Sequence, residues 1–288
     1  YCDRALGVTS AEEQPVLPKG NNLSLHLLEL FTSRVAKVGM TDGIRQVLQE
    51  ESDALRAYYE QAGILIARPA GGTSCRLAIS AKGGTNAENH NHNDVGSYAV
   101  ALGSETMVGD QGGPNSYPGD YFNGDAPQKY KIKGSFGHPV PVVDGRTQSS
   151  GGKAKGVVLQ KEFTNEKDVF SIDYTSAYST PNLDKLIRTF VYDRQGKGSF
   201  TVGDEFTAKT PIRFETAITT RADWKILDDT HLLLATDSEQ MIVAIEASGK
   251  VAFTSETIEV NSPAYTRIGI ALKNQSKEGY IRLKMYTK

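Results

Sequence analysis

From Gly63 to the end of the chain, short runs rich in β-branched and aromatic residues recur about every ten residues, separated by Gly, Asn, Asp and Pro clusters. This pattern is typical of strands joined by turns. We predict strands over residues 64–68, 75–80, 98–102, 105–108, 156–163, 169–174, 186–193, 199–202, 212–219, 231–235, 241–247, 250–255, 265–272 and 280–286. About a dozen strands predict a mainly β fold, a large antiparallel β-sandwich of two sheets.

The first sixty residues follow a different pattern. Apolar residues at helical spacing predict one helix over 22–37, which Gly39 ends, and a second from Thr41 or Asp42 to about Gln61. Two helices do not make a domain. We therefore divide the chain into residues 1–62, a linker and two helices left over from a helical unit, and residues 63–288, a β-sandwich domain.

Composition excludes several classes of function. The 288 residues carry a net charge of −2 with 23% charged residues, which argues against a nucleic-acid-binding protein. No apolar run reaches the roughly 18 residues of a membrane span, and no signal-peptide pattern follows Tyr1. The two cysteines, Cys2 and Cys75, cannot form a disulfide framework.

One polar segment, residues 82–98, stands out because it holds two of the five histidines, His90 and His92, with Asp94 two positions later. If the segment is extended, the alternation places these three titratable groups on one face. Downstream lie Asp110 and His138. Imidazole and carboxylate groups suit zinc and similar divalent metals, so these residues predict a metal or catalytic site. The alternative is a hydrogen-bonded loop without metal.

The metal hypothesis imposes a geometric condition. A two-residue hairpin turn at Gly103–Ser104 places Ser97 opposite Asp110, and a straight strand would then hold His92 on the order of 17 Å away. Zinc ligands lie about 2.0–2.3 Å from their ion. The chain must therefore bend back between Asn93 and Gly96, residue types that suit a turn.

The same segment carries a resemblance to a known family. Lys-Gly-Gly at 82–84, Asn-Ala-Glu at 86–88 and His-Asn-His-Asn-Asp-Val-Gly-Ser at 90–97 resemble the heparinase II/III-like polysaccharide lyases. Two later runs also resemble this family: residues 107–113, which Tyr117 follows, and residues 138–145, which Gln148 follows. Residues 173–178, 188–189 and 204–206 resemble it more weakly. The match extends from about residue 58 to 210.

The resemblance implies a fold and a reaction. Members of this family join a helical toroid to a β-sandwich, so this chain would carry the last toroid helices and the sandwich. They cleave uronic-acid-containing polysaccharides by β-elimination. When the roles of the family's residues are carried over to this sequence, His90 is the catalytic candidate. His92, Asp110 and His138 are then candidate ligands of Zn²⁺ or another divalent metal. The family also uses a tyrosine of the toroid at the catalytic centre, and no tyrosine of this sequence can be assigned to that role. The implied partners are an acidic polysaccharide or oligosaccharide and a toroid domain from the same gene, in the periplasm or outside the cell.

Other residues near the motif are candidates for substrate contact. Lys129, Lys131 and Lys133 alternate, so their ammonium groups could share a strand face and meet a polyanion; an ordinary solvated face is the alternative. Aromatic residues in the Gly- and Pro-rich loop could stack on sugars or simply pack locally. The predicted substrate contacts are Asn91, Tyr117, Tyr121, Tyr130, Lys131 and Arg146, and the residues predicted to orient the histidines or shape their loop are Glu88, Asn91, Asn93 and Asp94.

Two other functional classes stay open. A cupin-like metal enzyme also uses His-x-His on a strand, but its usual Glu is replaced here by Gly96 and Ser97. A non-catalytic carbohydrate-binding sandwich would keep the fold without the reaction. Absorbance of an unsaturated sugar product distinguishes a lyase from a binding module, and metal analysis distinguishes either from a metal-free loop.

Overall fold

A computed structural model describes residues 54–88, 90–110, 113–114, 116–259 and 264–288. These residues form antiparallel sheets with one short α-helix, which confirms the predicted mainly β sandwich. The structure contains more strands than the sequence predicted, and several, such as β12, extend beyond their predicted bounds. The nineteen strands of the described residues are β1 (Arg56–Tyr59), β2 (Ile64–Ala67), β3 (Leu77–Lys82), β4 (Thr85–Asn86), β5 (Tyr98–Leu102), β6 (Glu105–Val108), β7 (Val142–Val143), β8 (Gly151–Lys155), β9 (Val157–Phe163), β10 (Lys167–Asp173), β11 (Leu183–Asp193), β12 (Ser199–Ile212), β13 (Phe214–Thr220), β14 (Asp223–Asp228), β15 (His231–Ala235), β16 (Gln240–Ala247), β17 (Val251–Ile258), β18 (Tyr265–Leu272) and β19 (Ser276–Thr287). The helix is α1 (Ala126–Lys129), and 3₁₀ turns cover Ser135–Gly137 and Thr175–Ala177.

The strands form four sheets, where the sequence predicted two. The largest has eight strands in the order β14-β15-β16-β19-β12-β11-β10-β9, and the others have the orders β1-β2-β3-β5-β6, β17-β18-β13-β7 and β4-β8. Apolar side chains from the three larger sheets meet in one core, for example Leu77, Phe190 and Ile268. Phe190 stacks between Phe170 and Phe200, with ring centroids 5.9 and 6.2 Å away.

Two sequence predictions about element type are wrong. The second helix does not reach Gln61, because Arg56–Tyr59 form β1, which pairs with β2; sheet structure therefore begins before Gly63. The rest of the two-helix prediction lies outside the described residues. Residues 129–133 do not form a strand, because the short helix α1, with Pro127 in its first turn, extends to Lys129 and turns follow it.

The sheets bring together segments that are far apart in sequence. The hairpin β5–β6 turns at Gly103–Ser104 as predicted, with Leu102 opposite Glu105. Just after β6, Gly109 exchanges hydrogen bonds with Thr219 of β13, with N–O and O–O distances of 3.0 and 2.6 Å. These bonds fix the end of β6 against a second sheet, next to the segment that carries Asp110. No helix among the described residues is long and apolar enough to cross a membrane.

Candidate metal centre

The histidine-rich segment is a loop between β4 and β5, so His90, His92 and Asp94 do not share one face of an extended segment. His90 has a φ of 59°, in the left-handed region, which interrupts the alternation of side chains. The chain then turns at 94–97, where the Ser97 amide donates to the Asp94 carbonyl at 2.9 Å and Gly96 has a φ of 86°. This is the bend that the metal hypothesis required.

Buried amide side chains hold the loop in this shape. The Asn86 Oδ1 accepts from the backbone amides of Asp94 and Val95, at 3.0 and 3.3 Å. Gln148 contacts Val95 twice: its Oε1 accepts from the amide at 3.1 Å, and its Nε2 donates to the carbonyl at 2.7 Å. Asn93 donates through Nδ2 to the Gln148 carbonyl at 3.3 Å. These buried, paired groups hold the bent backbone at residues 93–95 in place.

The bend brings His92, Asp110 and His138 together, and one ligand atom of each lies within 4.8 Å of the others. Asp110 follows β6, and His138 follows the 3₁₀ turn Ser135–Gly137. The imidazole rings of His92 and His138 have centroids 5.2 Å apart. Three segments separated along the chain therefore converge on one point.

His138 is the most deeply buried member of this cluster. Its side chain is completely inaccessible, and among the described residues neither ring nitrogen has a hydrogen bond of good geometry. Its Nδ1 lies 3.3 Å from Oδ2 of Asp110. Burial alone would lower the pKa of His138, but the Asp110 carboxylate outweighs burial and raises it. A buried imidazole without a hydrogen bond is expensive unless something else satisfies it.

His92 differs because burial and the neighbouring His138 lower its pKa to about 4. The ring is therefore neutral near pH 7, and one nitrogen keeps a lone pair for a metal or a proton. Tyr121 Oη lies 3.1 Å from Nε2 of His92, and the tautomer determines which of the two donates.

The three residues fit a divalent metal. Two imidazoles and a carboxylate are a common protein ligand set for zinc, and three protein ligands leave a coordination position for another group. Such an ion would satisfy one of the two His138 ring nitrogens, neither of which has a hydrogen-bond partner among the described residues.

His90 lies outside this cluster. It is exposed, and its ring packs on Phe122 with centroids 4.9 Å apart. His92, two positions later, lies in the cluster. The loop therefore presents one imidazole to the cluster and another to solvent beside it, an arrangement that suits proton transfer to a bound molecule.

The aromatic residues predicted to contact substrate divide into two groups. Tyr117 and Phe122 are 44% and 51% exposed, so they form an accessible apolar surface beside His90. Tyr121 is only 1% exposed; it packs beneath them and contacts His92. Tyr121 is therefore not a surface residue in this structure.

The predicted basic face does not form. Lys129 pairs with Asp120 and Asp125, at 2.9 and 3.0 Å. Lys131 pairs with Glu256. Lys133 is buried, and its Nζ lies 4.8 and 4.9 Å from the ring centroids of Tyr121 and Phe122. The physical reason is the helix and turns at 126–134, which point successive lysines in different directions.

Two other predicted substrate contacts, Tyr130 and Arg146, have partners within the chain. Tyr130 donates to Asp120 Oδ1 at 2.5 Å. Arg146 is exposed and donates to the Ser179 carbonyl at 3.4 Å. Asn91 is half-buried and donates to the His92 carbonyl at 2.7 Å, so its amide shapes the loop.

The polar residues predicted to orient the histidines or shape their loop contact other residues of the loop and of the segments around it. Glu88 Oε1 accepts from the backbone amide and hydroxyl of Thr85, at 2.6 and 3.0 Å. Asp94 forms an ion pair with Lys82 at 2.6 Å. Asn93 reaches Ser150 Oγ at 3.0 Å. Sequence reasoning gave no role in the site to Lys82, which pairs with Asp94, or to Arg188, which is buried in β11, although both belong to runs that carry the family resemblance.

Comparisons with known proteins give matches in structure. No family model matches the sequence, and no curated protein matches it. A structure of heparinase III superposes with a TM-score of 0.63 at 18% identity, over 81% of this chain and 36% of that one. Heparan sulfate lyase HepC from Pedobacter heparinus superposes with a TM-score of 0.67 at 15% identity, over 93% of this chain and 42% of that one.

The chain thus spans about two fifths of the length of the solved structures that it matches. At these identities the likeness concerns the fold, in agreement with the resemblance found in the sequence. The chain has the heparinase-like fold, shared with part of heparinase III and of heparan sulfate lyase HepC.

Proposed function

We propose that this chain supplies the metal-bearing sandwich half of a polysaccharide lyase that cleaves an acidic, uronic-acid-containing polysaccharide by β-elimination. The observation that carries the proposal is the convergence of His92, Asp110 and His138 within 4.8 Å, with His90 exposed beside them. The heparinase-like fold supports it.

β-Elimination requires three things of a protein. The negative charge of the uronate carboxylate must be neutralised, a base must remove the proton from the adjacent carbon, and an acid must protonate the departing glycosidic oxygen. In our proposal His90 is the proton-transfer residue of this chain, because its ring is exposed beside the aromatic surface. Tyr117 and Phe122 would pack against sugar rings, since both are about half exposed.

His92, Asp110 and His138 would hold a zinc or similar ion. Such an ion, when bound, supplies positive charge and fixes the segments that ligate it. The chain's own contribution is to hold His90 at a defined position, because His90 and His92 belong to the same short loop. We therefore assign the cluster primarily to organising the site.

The proposal also includes a partner domain and a location for the protein. We propose that a helical toroid encoded by the same gene completes the site and provides the tyrosine, and that the protein acts in the periplasm or outside the cell. These points follow from the family resemblance together with the share of the heparinase III and HepC structures that this chain spans.

The test is a lyase assay with heparan sulfate, chondroitin, hyaluronan and alginate as substrates. The full gene product is incubated with each, and the ultraviolet absorbance of the unsaturated uronate is followed. The proposal predicts absorbance with at least one substrate. Measurable binding of a polysaccharide without product from any of them would instead support a carbohydrate-binding module, for which the exposed Tyr117 and Phe122 provide a surface.

The cupin-like alternative has less support. It requires the histidine pair on a strand of a barrel, whereas His90 and His92 lie in a loop between β4 and β5.

A further inference from the structure

Arg188, in β11, is fully buried, and each of its side-chain N–H groups donates a hydrogen bond within the protein. Its Nε and Nη2 donate to the two carboxylate oxygens of Asp204 at 2.7 and 2.6 Å, and Nη2 also donates to Thr216 Oγ1 at 3.1 Å. Its Nη1 donates to the carbonyls of Gly96 and Pro139, at 2.6 and 2.7 Å. A guanidinium has five N–H donors, so none is left for solvent or for a ligand.

The two carbonyls bound by Nη1 belong to the segments that carry the two histidines of the cluster. Gly96 ends the loop that contains His92, and Pro139 directly follows His138. One nitrogen atom thus joins these segments, although Gly96 and Pro139 lie 92 and 49 positions from Arg188 along the chain.

The guanidinium is itself held rigidly. Asp204, in the neighbouring strand β12, accepts from Tyr174 Oη at 2.6 Å and from Thr216 Oγ1 at 2.7 Å as well as from Arg188. Gly96 packs closely against this group: a Cβ at Gly96 would lie 3.3 Å from the ring of Tyr174 and 3.6 Å from Arg188 Cδ. Because the ion pair is planar and bidentate, the direction of Nη1 is fixed.

We propose that Arg188 is a positioning residue that sets the separation of His92 and His138 by holding the backbone after each of them. It touches neither imidazole and acts through the two carbonyls. The effect on histidine placement stands on the hydrogen bonds alone, whereas its consequence for metal binding rests on the proposed function.

The test uses Arg188→Lys in the 288-residue chain. Lysine keeps the charge but loses the planar fork, so it cannot hold Asp204 and both carbonyls together. The matched control is Arg194→Lys. Arg194 is also buried, pairs with the buried Asp168 and donates to the carbonyls of Arg68 and Leu55, at 2.7 and 2.9 Å, in segments that carry no candidate ligand.

The first readout is the ¹H–¹⁵N spectrum of the histidine side chains in metal-free protein. We expect Arg188→Lys to shift the resonances of His92 and His138 and to leave those of the remote His231 unchanged. Arg194→Lys should leave all three unchanged. Unchanged His92 and His138 in the Arg188 variant, or equal shifts in both variants, would overturn the proposal.

The second readout is zinc affinity measured by competition with a chelator. We expect Arg188→Lys to weaken binding about 10–100-fold relative to Arg194→Lys. A wild-type chain that binds no zinc would refute the metal proposal, while the histidine shifts would still decide the role of Arg188.

A second variant covers the case in which Arg188→Lys does not fold. Tyr174→Phe keeps the Arg188 side chain but removes the hydrogen bond from Tyr174 to Asp204, the carboxylate that orients the guanidinium. We expect smaller shifts of the His92 and His138 resonances, with His231 unchanged; no shift at either residue in a folded Tyr174→Phe protein would contradict the proposal.

Discussion

Three histidines within fifty residues have three different environments, and the environment decides what each can do. His138 is fully buried beside Asp110, His92 is half-buried between His138 and Tyr121, and His90 is exposed on Phe122. A buried imidazole that faces a carboxylate and a second imidazole suits a metal ligand, whereas an exposed one can exchange protons with a bound molecule.

His90→Ala should separate these two roles. Removing an exposed imidazole that transfers a proton is expected to lower turnover by about 10²–10⁴-fold in the full gene product. Zinc content and thermal stability should stay unchanged, because His90 lies outside the cluster. His231→Ala is the control and should retain full turnover. Normal turnover of the His90 variant would refute its catalytic assignment.

His138→Ala should abolish stabilisation by metal. A ligand that binds only the folded state stabilises it by about 2.7 kcal/mol at a free concentration 100 times Kd, so zinc should raise the melting temperature of the wild-type chain. We expect no such rise in His138→Ala or His92→Ala, measured by differential scanning calorimetry. His231→Ala should respond as the wild type does. A zinc-induced rise that survives in His138→Ala would exclude this residue as a ligand.

At the scale of elements, the loop between β4 and β5 shows why a pattern of alternating residues can mislead. In an extended segment His90, His92 and Asp94 would share one face, but the left-handed residue His90 and the turn at 94–97 break the alternation. Likewise, β12 extends to Ile212, beyond the predicted strand end at Val202, with Asp204 buried against Arg188. In both cases contacts with distant parts of the chain accompany the observed structure, and the local sequence does not reveal those contacts.

Gly96→Ala should destabilise this loop. A non-glycine residue at a φ of 86° costs roughly 1–2 kcal/mol, and the added Cβ would also press on Tyr174 at 3.3 Å. Gly196→Ala separates the two effects, because Gly196 has a φ of 58° and a Cβ added there would meet no atom within 4 Å. Urea denaturation should show the larger loss for Gly96→Ala. Equal losses would mean that close packing of Gly96 contributes nothing.

At the scale of the whole molecule, the sandwich was predictable and its edges were not. Strands that are mostly buried, such as β18, were predicted at their observed bounds, because their apolar residues distinguish them from the turns around them. Strands such as β14, which is largely exposed, and the Gly-rich β8 lack that signal. The ligand residues could be named from spacing and resemblance, but their convergence depends on four sheets assembled around one core.

Phe190→Ala should show how far stability depends on that core. Phe190 is 1% exposed and stacks with Phe170 and Phe200, so its loss is expected to cost about 3–5 kcal/mol in the free energy of unfolding. Phe122→Ala, at a side chain 51% exposed, should cost far less. Chemical denaturation measures both. A loss below about 1 kcal/mol for Phe190→Ala would be inconsistent with close packing at this position.

The metal proposal is tested most directly by X-ray absorption spectroscopy at the zinc edge on the wild-type chain after zinc addition and dialysis. The geometry of His92, Asp110 and His138 predicts one bound zinc per chain, coordinated by two imidazoles and by oxygen at about 2.0–2.2 Å. A chain that retains no zinc, or a bound zinc without two imidazole ligands, would contradict the proposal.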